Sequence, residues 1–192
     1  MTLPLSLTDR AGRRARHTGT ALLLAGLALV AGCGEESPGT TAGSGTAAQV
    51  APSATGADAP AFTAATLDGA EFDSAARFAQ GPTVLWFWAP WCTICRTEAP
   101  EVLAVAEEFA GDVTVVGVAG RGEVDEMVDF VADTGTGRLE HVVDRDGAIW
   151  SEFGVVAQPA FAFVGRDGQV EVFNGALPPD DLRAAARSLA EG

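Results

Sequence analysis

Thr83-Val84-Leu85-Trp86-Phe87-Trp88-Ala89-Pro90-Trp91-Cys92-Thr93-Ile94-Cys95 is the stretch on which the reading of this chain turns. Its first seven residues are an almost unbroken β-branched and aromatic run, the pattern of a strand buried on both faces. Cys95 to Phe109 then takes up helical periodicity, with Val102, Val105, Ala106 and Phe109 sharing one face and Glu101, Glu107 and Glu108 lying elsewhere. Pro100 sits inside that helix and is expected to kink it. Two cysteines therefore fall where a buried strand gives way to a helix. A lone C-x-x-C says little, but this placement makes it informative. The start of a helix leaves amide N–H groups unpaired and carries the positive end of the macrodipole, which favours a thiolate. Cys92, the outer sulfur, reads as the nucleophile. Cys95, one turn deeper, reads as the residue that resolves a mixed disulfide.

Downstream, Val113 to Ala119 is a second buried strand, and Glu123 to Asp133 an amphipathic helix with Val124, Met127, Val128 and Val131 turned inward. Glu140 to Asp144 is a short strand. Phe161–Val164 and Gln169–Phe173 flank Arg166-Asp167-Gly168, a hairpin signal. Pro179 to Ala190 opens with Pro-Asp-Asp, which suits the start of a last helix. Upstream, Phe62 and Phe72 around Leu67-Asp68-Gly69 predict a small hairpin. The expected fold is an α/β sandwich with a central mixed sheet flanked by helices and preceded by that hairpin.

The first 60 residues read as address and tether. A basic stretch, Arg10 to His17, precedes an uncharged run ending in Val30-Ala31-Gly32-Cys33, the layout of a secretory signal. Small residues before a cysteine resemble the lipobox of bacterial lipoproteins. That resemblance implies cleavage after residue 32 and acylation of Cys33, two acyl chains giving stable anchoring. An uncleaved anchor and an ordinary thiol are the alternatives. Residues 34–59 contain 21 Gly, Ala, Ser, Thr or Pro among 26 positions, so residues 33–59 are expected to be a flexible linker. Residues 60–192 form the folded domain.

Composition removes several classes of function. The chain has 192 residues, 12 basic (every one arginine) against 26 acidic, for a net charge of −14. The first 33 residues are basic, so the rest is more acidic still. Such a surface repels phosphate backbones, and nucleic acid is not an expected partner. Three cysteines are too few for a disulfide scaffold. Zinc would need four ligands, yet beyond Cys92 and Cys95 only Cys33, His17 and His141 are soft donors. Covalent haem would need a histidine at Arg96. No metal or cofactor is expected, and His141 reads as a structural histidine.

Phe87 to Pro100 resembles the active-site segment of thioredoxin-fold proteins, and within them the extracytoplasmic TlpA/ResA/DsbE-like redoxin branch. The Ala59–Phe62 opening (Ala-Pro-x-Phe) and Gly154–Pro159 fit the same branch. The resemblance implies a thiol-disulfide oxidoreductase and a cis proline facing the cysteines, at Pro159, that helps bind substrate. Trp91, Thr93, Ile94, Gln158 and Glu98 would be supporting residues. One departure stands out. Thioredoxin carries a buried Asp six residues before its first cysteine, and here that position is Trp86. Glu98 matches an acid common in the branch and reads either as a proton relay or as a solvated helix charge. Arg96 is a candidate to favour the thiolate electrostatically.

The direction of exchange stays open. The resemblance allows an oxidant of exported proteins, towards which similarity to DsbE/DsbF-like lipoproteins of high-GC Gram-positive bacteria inclines the reading. It allows equally a reductant that keeps apocytochrome c cysteines free. Either needs a membrane redox partner that the sequence does not name. A thiol peroxidase fits poorly, because the Thr or Ser expected three residues before the reactive cysteine is Ala89. A lipid-anchored binding protein with an inert disulfide is the alternative outside enzymes.

Overall fold

The computed structural model describes residues 54–192; the proposed signal, Cys33 and most of the proposed linker lie outside the described residues. Thirteen elements follow in chain order: β1 (Ala54–Asp58), β2 (Thr63–Ala65), β3 (Glu71–Asp73), α1 (Ser74–Phe78), β4 (Thr83–Trp88), α2 (Thr93–Glu108), β5 (Thr114–Gly120), α3 (Val124–Thr134), β6 (Glu140–Asp144), α4 (Ala148–Glu152), β7 (Ala160–Val164), β8 (Gln169–Asn174) and α5 (Pro179–Glu191). Six strands make one sheet in the order β1-β8-β7-β4-β5-β6, and β2 pairs with β3 in the expected small hairpin. β4, β5 and β6 run parallel, as their helical crossovers require. β7, β8 and β1 complete the sheet antiparallel. The mixed α/β sandwich predicted from the sequence is the fold observed.

β4 lies between β7 and β5, and all six of its residues are buried. Trp86 and Trp88 project from one face, where Phe130 of α3 stacks on Trp88 with ring centroids 4.1 Å apart. Phe87 projects from the other, meeting Trp150 edge-on at 6.2 Å and Phe153 at 5.6 Å. Phe62 joins Phe153 on that side, tying the β2–β3 hairpin to the core. Aromatic rings on both faces hold β4 rigid, and its C-terminal end carries Pro90, Trp91 and Cys92.

Three expectations need correction. Ala54–Asp58, read as linker, forms β1 along the free edge of β8, with a register shift at Gly56. Composition misled here because an edge strand draws on main-chain hydrogen bonds, which small polar residues supply as well as large ones. Val128, expected inward, is exposed, while Met127 and Phe130 are the residues α3 buries. The inward stripe runs one step round from the predicted one because the broad Phe130 ring fills the space over Trp88. α2 begins at Thr93 rather than Cys95, because Cys92 is its N-cap.

Candidate active site

Cys92 ends the loop after β4 in an extended conformation, and its Sγ accepts a hydrogen bond from the Cys95 amide at 3.1 Å. A sulfur thus occupies the place that Ser, Thr or Asp usually takes at a helix start. The structure joins Cys92 and Cys95 in a disulfide. Cys95 is wholly buried and Cys92 is 5% exposed, so of the two cysteines Cys92 is the one nearer the surface. Trp91 and Ile94, 59% and 55% exposed, are large apolar side chains standing open on either side of Cys92 in the chain. Thr93 is exposed at the first position of α2, and the Thr97 hydroxyl donates to its carbonyl.

The Gln158–Pro159 peptide bond is cis, as the resemblance implied. Pro159 is buried and opens directly into β7, the antiparallel neighbour of β4; Gln158 is half-buried. Val156, in the same connection, is 75% exposed.

Glu98 lies one turn beyond Cys95 on α2. Its Oε1 accepts from the Trp86 indole N–H at 2.7 Å, while Oε2 is buried without a hydrogen-bond partner. Burial raises the Glu98 pKa to about 7, against the opposing pull of the Trp86 hydrogen bond. The solvated-charge reading of Glu98 therefore does not hold. The position left without an acid and the acid on the helix turn out to be partners, which a strand pattern and a helix pattern read separately do not reveal.

Arg96 does not face the sulfurs. It pairs with Asp133 at 3.0 Å, donates to the Pro90 carbonyl at 3.3 Å and lies 4.8 Å from the Phe130 ring centroid. The sequence reading also missed Arg121, whose carbonyl accepts from the Trp91 indole at 2.9 Å. The available signal was a glycine on each side of an arginine just after a buried strand. Among the described residues no group of three His, Cys, Asp or Glu could hold a metal ion, and no helix is long and apolar enough to cross a membrane.

Comparison with known proteins now bears on this geometry. Residues 55–173 match the AhpC/TSA family. The chain belongs to that family. It is 42% identical over 132 residues to the soluble secreted antigen MPT53 of Mycobacterium tuberculosis, covering 67% of this chain and 74% of that one. Among solved structures, MTB dsbF in mixed oxidized and reduced forms matches at 43% identity and a TM-score of 0.64, over 67% of this chain and 94% of that one. A secreted Mycobacterium tuberculosis disulfide oxidoreductase, described as homologous to E. coli DsbE, matches at 40% identity and a TM-score of 0.62, over 67% and 96%. Within the family this is a thioredoxin-fold, DsbE-like thiol-disulfide oxidoreductase carrying a CxxC pair.

Proposed function

We propose that the protein is an extracytoplasmic, lipid-anchored oxidant that passes the Cys92–Cys95 disulfide to exported proteins. The observation that carries this reading is the Cys95 amide donating to Cys92 Sγ at the start of α2. That donor favours a Cys92 thiolate, and stabilising the reduced form makes a dithiol pair oxidising. A substrate thiolate attacks Cys92 Sγ, the Cys92–Cys95 bond breaks, and Cys95 leaves as a thiolate. Glu98, titrating near neutrality one turn away, supplies the proton that Cys95 takes up. The substrate's second thiolate then attacks its own sulfur in the mixed disulfide and releases Cys92. Two electrons have moved from substrate to protein, and a membrane redox partner must remove them.

Trp91, Ile94 and the Gln158–Pro159 connection form the docking surface in this reading, with Thr93 beside them. Export and anchoring rest on the basic, apolar and Val-Ala-Gly-Cys sequence that ends at Cys33, and the secreted character of the two mycobacterial relatives supports an extracytoplasmic site.

The reduction potential of residues 54–192, equilibrated in glutathione buffers, tests the direction. A value near about −120 mV is expected of an oxidant. A value at or below about −250 mV would instead assign a reductant, with apocytochrome c cysteines as the leading substrate. Cys95→Ser should trap the mixed disulfide on Cys92, and Cys92→Ser should abolish exchange.

A further inference from the structure

We propose that Arg121 is a positioning residue of the exchange site, whose backbone carbonyl, held in a left-handed turn, fixes the Trp91 indole beside Cys92. Arg121 has φ 56, and among the described residues it is the one non-glycine with a positive φ. Such a conformation disfavours an L side chain, so neighbouring contacts must hold it. They are present. The guanidinium lies 4.8 Å from the ring centroid of the fully buried Trp150, and the Arg121 amide donates to the Asp144 carbonyl at 3.4 Å. Trp150 is itself fixed, because its amide donates to the Asp144 carboxylate at 2.9 Å.

The flanking glycines show how tightly the turn is wedged. A Cβ on Gly120 would lie 2.5 Å from Trp150 Cε2, and one on Gly122 would lie 2.4 Å from Pro90 Cγ. Pro90 is the residue before Trp91. The turn after β5 is therefore packed between the α4 core and the loop that carries the cysteines. No carboxylate pairs with the Arg121 guanidinium among the described residues, so its contact with the indole of Trp150 is what anchors the side chain.

The consequence falls on Trp91. An exposed indole is free to rotate, and ordering it on contact with a substrate would weaken binding. The hydrogen bond to the Arg121 carbonyl orders it beforehand. Arg121 thus acts through Trp91 on the capture of a polypeptide segment with apolar residues beside its reacting cysteine, and leaves the sulfur chemistry alone. This rests on the thiol-disulfide exchange described above and holds for either direction.

The test is single-turnover reduction, by the reduced protein, of a synthetic peptide disulfide flanked by Leu and Phe, followed to saturation. Trp91→Phe and Arg121→Val should each raise the half-saturating peptide concentration about three- to tenfold, the effect of one hydrogen bond, with the maximal rate held within about twofold. The double variant should be no worse than the poorer single variant, because both remove the same contact. Arg121→Gly, which accepts the left-handed turn, should recover at least half of the Arg121→Val loss on a logarithmic scale. Acrylamide should quench Arg121→Val more than the parent, since Trp91 is exposed while Trp86, Trp88 and Trp150 are buried.

Additive losses in the double variant, a fall in maximal rate alone, or no recovery in Arg121→Gly would each overturn the proposal. If Arg121→Val does not fold, Arg121→Ala takes its place in the same cycle. An inactive parent protein would be a different failure, that of thiol-disulfide exchange itself.

Discussion

Trp86 and Trp88 stand two residues apart on one face of β4, and each indole donates to an ionisable side chain, half-buried Glu98 or buried His141. Trp86 reaches Glu98 at 2.7 Å, and Trp88 reaches His141 Nδ1 at 3.3 Å. The outcomes differ. His141 Nε2 also meets the Thr136 carbonyl at 3.1 Å, so both ring nitrogens are used and the ring is neutral with its proton on Nε2. Burial lowers its pKa, against the pull of the Thr136 carbonyl. Glu98 has one oxygen bonded and one buried without a partner. His141 has a complete set of hydrogen bonds and burial keeps it neutral, whereas Glu98 has an incomplete set and burial brings its pKa to about 7, where it can exchange a proton near neutrality. The complete set belongs to the scaffold. The incomplete one lies a helical turn from Cys95.

The sharpest way to break this comparison is His141→Ala. It leaves the Trp88 N–H and the Thr136 carbonyl unpaired and opens a cavity, so urea unfolding should show a loss of about 2–4 kcal/mol. The exchange rate of the folded variant at 25 °C should stay within about twofold of the parent. A large fall in rate without loss of stability would mean that His141, too, belongs to the chemistry.

Glu98→Gln probes the other member. Glu98 has a folded pKa of about 7 against an ordinary 4.5, so the native state holds its proton more tightly than the unfolded chain does. Its contribution is fully present below about pH 4.5 and is lost as pH rises through 7, up to about 3 kcal/mol in all. Denaturation at pH 5 and pH 8 should show this loss in the parent and not in Glu98→Gln. The variant should also slow the step that protonates or deprotonates Cys95 about 10- to 100-fold near pH 7, read by stopped-flow tryptophan fluorescence. His141 has the opposite sign. Its lowered pKa contributes stability above about pH 6.5 that is lost as pH falls, so Glu98→Gln should retain an acid limb.

The smallest effects separate the two indoles. Trp88→Phe leaves His141 Nδ1 buried and unpaired and should lower stability by about 1–3 kcal/mol with the pH–rate profile unmoved. Trp86→Phe removes the one donor to Glu98 and should cost a similar amount, about 1–3 kcal/mol, but here the profile should move to higher pH. Equal shifts in the two profiles would end the distinction drawn between them.

Much of this was legible before any coordinates. The unbroken apolar run of β4 announces a central strand, and Cys92 and Cys95 straddle a helix start that is itself a local feature. The cis bond before Pro159 was implied by resemblance alone, since nothing in Gln158-Pro159 marks it. Arg96 was misjudged because adjacency in sequence says nothing about which way a helical side chain turns; Asp133 and Phe130 on α3 draw it aside. β1 was missed because its partner, β8, follows more than a hundred residues later.

By itself, then, the sequence determined the order of the sheet strands and long helices from β4 to α5 and the placement of the cysteine pair at the head of α2, because periodicity and helix capping act over a few neighbouring residues. Only the tertiary structure decided that Trp86 holds Glu98, that Trp88 closes the hydrogen bonds of His141, and that the Arg121 carbonyl holds Trp91. Those pairs lie 12, 53 and 30 residues apart in the chain. Packing around β4 brings them within hydrogen-bonding distance, and burial then sets which of them can exchange a proton.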